Sequence, residues 1–147
     1  MSRAAVLLLV TLLSGGAPAV AGEPGLSKNV TATDRATVVK LMGASTWQDA
    51  DPKRDLEIGK ADLNGDGVPD YVATINSPMF CGSHGCAIEI FLSTGKTYVR
   101  AADLLGGWVE LAPGSTRGVR DLVLSGGRQD VRLVWDGKSY RVAGPAK

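Results

Sequence analysis

The sequence predicts a mainly β protein of the α+β type, built of antiparallel β-meander units with one N-terminal helix, and not a closed propeller. Three observations predict it. From residue 55 onward, short runs rich in Val, Ile, Leu, Tyr and Trp alternate with turns of Gly, Asn, Asp and Ser. Asp136-Gly137 stands between two such runs and is a strong hairpin signal. Only residues 35–42 show helical spacing, with Val38, Val39, Leu41 and Met42 as the apolar positions.

Taken in order, the chain opens with Arg3, an apolar run over residues 4–13 broken only by Thr11, then small residues leading to Ala19-Val20-Ala21. That is the pattern of an export signal cleaved after residue 21. The run is about half the ~20 apolar residues a membrane span needs, so no anchor is expected after cleavage. Residues 22–32 read as a flexible lead-in and residues 33–147 as a single β-rich domain. Thr33-Asp34 is the expected N-cap of the helix and Gly43 its stop. Residues 45–54 read as a loop.

The strands follow. Leu56, Ile58 and Ala61 alternate with polar residues, and residues 71–75 form a β-rich run ended by Asn76-Ser77-Pro78. Ile88, Ile90 and Leu92 face one way, Glu89 and Phe91 the other. Thr94-Gly95 turns the chain and Tyr98-Val99 returns it. Residues 104–111 read as one edge strand, and residues 122–124, 131–135 and 140–142 as a three-stranded meander. A weak internal repeat runs through this region. Asp70-Tyr71-Val72 leads to residues 88–92 and the turn Gly95-Lys96-Thr97-Tyr98. Asp121-Leu122-Val123 leads to residues 131–135 and Gly137-Lys138-Ser139-Tyr140. The cysteine loop of the first unit stands where the second has a Gly-Gly turn.

Two short segments carry chemistry. Asp62-Leu63-Asn64-Gly65-Asp66-Gly67-Val68-Pro69-Asp70 sets side-chain oxygens at relative positions 1, 3, 5 and 9. Hard divalent cations, Ca²⁺ above all, are held by several oxygens on a tightly curled loop. The expected ligands are the side chains of Asp62, Asn64, Asp66 and Asp70 and the carbonyl of Val68. Position 12 is Ala73 where an EF-hand has Glu, so a loop feeding a strand fits better than a helix–loop–helix hand. Cys81 and Cys86, in Cys-Gly-Ser-His-Gly-Cys, are the only cysteines, and an even pair in an exported chain predicts a disulfide. His84 is the sole histidine; with Ser83 it is a candidate contact residue on a stiffened turn. Ion loop and cysteine loop are expected at the same end of neighbouring strands.

Charge excludes little but helps. Without Arg3 the chain has 15 basic and 15 acidic residues. Residues 22–116 carry 8 basic against 12 acidic and residues 117–147 carry 7 against 3. Nucleic acid is not an expected partner for an exported chain with so few aromatics and no basic run.

The loop 62–70 with Tyr71-Val72 after it resembles the calcium loop of FG-GAP/VCBS-type repeats, which lead from such a loop into a strand. Together with Cys-Gly-Ser-His-Gly-Cys and the Gly-Lys-Thr-Tyr turn, the chain is similar to small exported bacterial proteins of uncharacterised function. Two repeat units fall short of the about four to eight blades of a propeller, so propeller closure is not implied.

The functional expectation is a periplasmic or secreted, non-enzymatic binding module with one structural Ca²⁺ site. Its partner is an unknown protein or cell-envelope ligand. An alternative is an inhibitor or immunity protein against a cell-wall hydrolase such as lysozyme, on a faint likeness in residues 93–98. A second is a small hydrolase, with no catalytic residues assigned and mutation of Asp66 and Glu89 as its test.

Overall fold

The computed structural model describes residues 25–146; the signal peptide expected at residues 1–21 lies outside the described residues, as do residues 22–24 of the lead-in and Lys147. The remaining lead-in is tied down. Ser27 exchanges both backbone hydrogen bonds with Lys60, at 2.9 and 3.0 Å.

The helix α1 (Ala32–Met42) starts earlier than the sequence implied. Its N-cap is Thr31, not Thr33 or Asp34. The Thr31 hydroxyl accepts from the Asp34 amide at 3.1 Å, and Asp34 accepts from the Thr31 amide at 2.8 Å, a complete capping box. Asp34 stands instead at the third helical position, where its carboxylate closes the capping box from the other side. It also accepts from Lys60 Nζ at 2.8 Å and Tyr71 Oη at 2.7 Å, fastening the helix to the strands beneath. Gly43 ends the helix as expected. A short 3₁₀ turn, Thr46–Gln48, follows; Trp47 donates its indole N–H to the Val39 carbonyl.

The β-structure forms two antiparallel sheets. The first has the order β1 (Leu56–Ala61), β2 (Asp70–Ile75), β4 (Gly85–Ser93), β5 (Tyr98–Gly106). The two-residue β3 (Cys81–Gly82) pairs with the start of β4, beyond the end of β2. The second sheet runs β6 (Trp108–Thr116), β7 (Val119–Ser125), β8 (Val131–Trp135), β9 (Tyr140–Pro145). The stretch 104–111 is therefore not one edge strand. It holds the end of β5, the start of β6 and the point where the chain leaves one sheet for the other. Residues around Gly106-Gly107 are apolar on both sides, so the pattern does not mark the crossing.

The alternation along β4 sorts the core in two. Ile88, Ile90 and Leu92 face the second sheet and pack with Val72, Ala101, Val109, Leu122, Leu133 and Tyr140. Phe91 faces α1, joining Val38, Met42, Leu56, Ile58, Tyr71, Ala73 and Ile75. The first sheet is thus covered on both faces, by the helix and by the second sheet. Trp135 packs against the inter-sheet cluster, its ring edge-on to Tyr140 at 5.7 Å. Trp108 is exposed.

The internal repeat is real in three dimensions. Tyr98 Oη donates to the Pro69 carbonyl at 3.0 Å, and Tyr140 Oη donates to the Arg120 carbonyl at 2.8 Å. Each acceptor is the residue just before the repeat's aspartate, Asp70 or Asp121. Each Gly-Lys-(Thr/Ser)-Tyr turn therefore locks back onto the first strand of its own unit.

Candidate functional site

The two segments singled out in the sequence lie at opposite ends of the first sheet, not at the same end. The loop 62–70 precedes β2 and the cysteine hairpin follows it. A strand between two devices separates them by its own length, a point the sequence order alone already contained.

In the loop, Gly65 and Gly67 take positive φ, 76° and 79°, which lets the chain curl around its own carboxylates. Asp62 accepts from the amides of Gly65, Asp66 and Gly67 at 2.7, 3.1 and 2.8 Å. Asn64 Oδ1 accepts from the Asp66 amide and Asp66 Oδ1 from the Val68 amide. Asp62, Asp66 and Gly65 are exposed, while Asn64 and Val68 are half-buried. Asp70 is different. It is buried, and its two oxygens accept from the amides of Leu63, Asn64 and Ser93. Burial pushes its carboxyl above the usual range against the pull of those amides, and the Asp66 charge adds to the rise. Leu63 inserts into the inter-sheet core, and its carbonyl accepts from the Arg120 amide at 2.7 Å, so the loop also bridges the sheets.

Among the described residues no three His, Cys, Asp or Glu side chains converge as a metal-holding group. Asp62, Asn64 and Asp66 offer oxygens at the surface of the curl. Asp62 Oδ1 already accepts two amides, while Asp62 Oδ2, Asn64 Oδ1 and Asp66 Oδ1 accept one each and keep a second lone pair. The donor set is hard and oxygen-only, as Ca²⁺ requires.

At the other end Cys81 and Cys86 form the predicted disulfide, joining residues paired in register across β3 and β4. Gly82 and Gly85 pair next, leaving Ser83-His84 as the exposed tip. Ser83 Oγ lies 3.1 Å from His84 Nδ1. Disulfides persist in oxidising compartments outside the reducing cytosol. Among the described residues no helix is long and apolar enough to cross a membrane.

Beside the tip lie two features the sequence reading missed. Met79 and Leu105 are 72% and 60% exposed. The β7–β8 turn, Gly126-Gly127-Arg128, comes up opposite the hairpin and shares a groove of about 640 Å³ with Ser83, His84 and Leu105. The repeat held the signal: the cysteine loop and the Gly-Gly turn are equivalent connections, so they emerge on one side of the stacked sheets.

Several other charges are paired within the fold. Arg132 pairs with Asp121 at 2.6 Å, Arg141 with Asp136 at 2.9 Å, and Arg120 donates to the Ala112 carbonyl. Three of the seven basic residues of the last third are thus engaged locally. Asp66 lies exposed in the loop before β2, whereas Glu89 sits mid-strand on β4, opposite Ala73 of β2. Burial raises its carboxyl although Arg100 Nε lies 2.9 Å away, a contact too poorly aligned to be a hydrogen bond.

Comparison with family models, with curated proteins and with solved structures finds no match to this chain.

Proposed function

We propose that this chain is an exported, non-enzymatic binding module that engages its partner through the cysteine hairpin, with a structural Ca²⁺ at residues 62–70. The observation that carries the binding reading is the pairing of a disulfide-clamped tip, Ser83-His84, with the exposed apolar side chains of Met79 and Leu105. Apolar groups left in water beside a covalently stiffened turn bind with little ordering cost. The test is amide exchange of residues 79–86 in the oxidised and reduced protein. Slow exchange that becomes fast on reduction supports a preorganised contact surface. Equal exchange in both states removes the preorganisation and the reading with it.

The ion reading rests on the surface oxygens of Asp62, Asn64 and Asp66 with the Val68 carbonyl. Of the expected set, Asp70 is buried and its oxygens accept three backbone amides, so it shapes the loop from beneath. The ion's role is to hold the bridge that Leu63 and Arg120 make between the sheets. Calorimetric titration of the EDTA-stripped protein with Ca²⁺ tests it. The expected result is saturable binding that raises the melting temperature and is lost in Asp66→Ala. Absence of heat and of any melting shift reduces the loop to a self-bonded turn.

A further inference from the structure

We infer, on the footing of the binding reading above, that the groove between the cysteine hairpin and the β7–β8 turn takes an acidic segment of a partner protein that carries an apolar side chain next to its carboxylate.

Three observations carry the inference. The first is charge. The groove is lined by Ser83, His84, Leu105, Gly126, Gly127 and Arg128, with no carboxylate among them. Arg128 is exposed and takes no part in the ion pairs of the described residues, in contrast to Arg132 and Arg141 of the same sheet. A guanidinium always carries its charge and presents paired donors to a carboxylate. The second is the neighbouring apolar ground. A hollow of about 370 Å³ adjoins the groove, shares Ser83, His84 and Leu105 with it, and has Met79 on its far rim. Leu105 lines both hollows, so a ligand seated on Arg128 has apolar surface within the same groove.

The third observation is rigidity. A Cβ on Gly126 would stand 2.4 Å from the Gly107 nitrogen, and one on Gly85 would stand 2.1 Å from the Gly106 carbonyl oxygen. The Gly107 amide donates to the Ser125 carbonyl at 2.7 Å. Backbone lies directly on backbone there, so both walls of the groove are fixed to each other, one of them also by the disulfide. A phosphate-rich polymer would need several cations, and the groove has one arginine. A single carboxylate with an apolar neighbour matches it better.

The test is selection of binders from a random short-peptide library on the oxidised protein, followed by amide chemical-shift mapping of the enriched peptides. The expected peptides join Asp or Glu to an adjacent apolar residue. They shift Ser83, His84, Leu105 and residues 126–128, and Arg128→Glu weakens them about tenfold or more without changing the melting temperature. Peptides that map to the groove but are neutral or basic, or that ignore Arg128→Glu, overturn the acidic assignment and leave the binding reading standing. Peptides that map elsewhere, or no enrichment at all, overturn both. Tighter binding of inorganic polyphosphate than of any selected peptide, at the same residues, overturns the protein occupant.

Discussion

At the scale of single residues, Asp34 accepts four hydrogen bonds, from the Thr31 amide and hydroxyl, Lys60 and Tyr71, and has a clear pH consequence. Burial works to raise its carboxyl, but Lys60, both Thr31 donors and the Tyr71 hydroxyl outweigh that and hold it well below its ordinary 3.8. A carboxylate whose folded pKa is depressed contributes stability that is complete above the unfolded value and is lost as pH falls below it. The melting temperature should therefore be flat for this group from pH 7 to about 5 and fall below about pH 4. Asp34→Asn should lower stability at pH 7 by about 3 kcal/mol, since it leaves Lys60 half-buried without a counter-charge, and should blunt the acid fall. Melts of both proteins across that range check it. The two locking tyrosines are a second case. Tyr98→Phe and Tyr140→Phe each remove one hydroxyl-to-carbonyl bond and should cost about 1 kcal/mol apiece, additively because the bonds lie in different sheets. Denaturant titration of the two single variants and the double variant decides it.

Among elements, the turns differ from one another in what their glycines do. Gly126 has φ of 95° and backbone within 2.4 Å of any Cβ, whereas Gly118 has φ of 80° with open space around it. Gly126→Ala should cost about 3 kcal/mol or more and disturb the groove wall. Gly118→Ala should cost only about 1 kcal/mol, the conformational penalty alone. Comparing their unfolding midpoints separates steric from conformational cost. The cysteine hairpin is the opposite kind of element, since its bridge closes a loop too short to restrict the denatured chain much. Replacing both cysteines by Ser should cost about 2 kcal/mol and leave the near-ultraviolet signature of the aromatic cores intact. Loss of the whole fold in that variant would contradict a local role.

For the whole molecule, the stability resides between the layers. Leu122 and Leu133 are fully buried where the second sheet meets Ile88 and Ile90. Leu122→Ala should cost about 3–4 kcal/mol, read from denaturant midpoints, because neither sheet can collapse into the void without moving the other. Much of this arrangement was legible in the sequence. Alternation at Ile88, Ile90 and Leu92, the Asp136-Gly137 turn and the paired Gly-Lys-(Thr/Ser)-Tyr motifs gave most strands and the repeat. The crossing at Gly106-Gly107 was not legible, because apolar residues flank it on both sides and a change of sheet leaves no mark on periodicity. The disulfide was legible from two cysteines. The groove opposite it was legible only through the repeat, which makes the cysteine loop and the Gly-Gly turn equivalent connections; local patterns do not encode the meeting of Ser83 with Arg128.

Every hydrogen-bonded ladder here joins strands that are adjacent, or separated only by β3, along the chain. These ladders can therefore form as a series of hairpin closures of about 1–10 μs each, while the Ser27–Lys60 bridge and the Leu63–Arg120 bond join more distant segments. A chain emerging N-terminus first completes the ladders of the first sheet while residues 119–135 are still to come. Until β7 and β8 arrive, Ile88, Ile90 and Leu92 face water, and that interval is when the young protein is most open to aggregation or to a chaperone's grip.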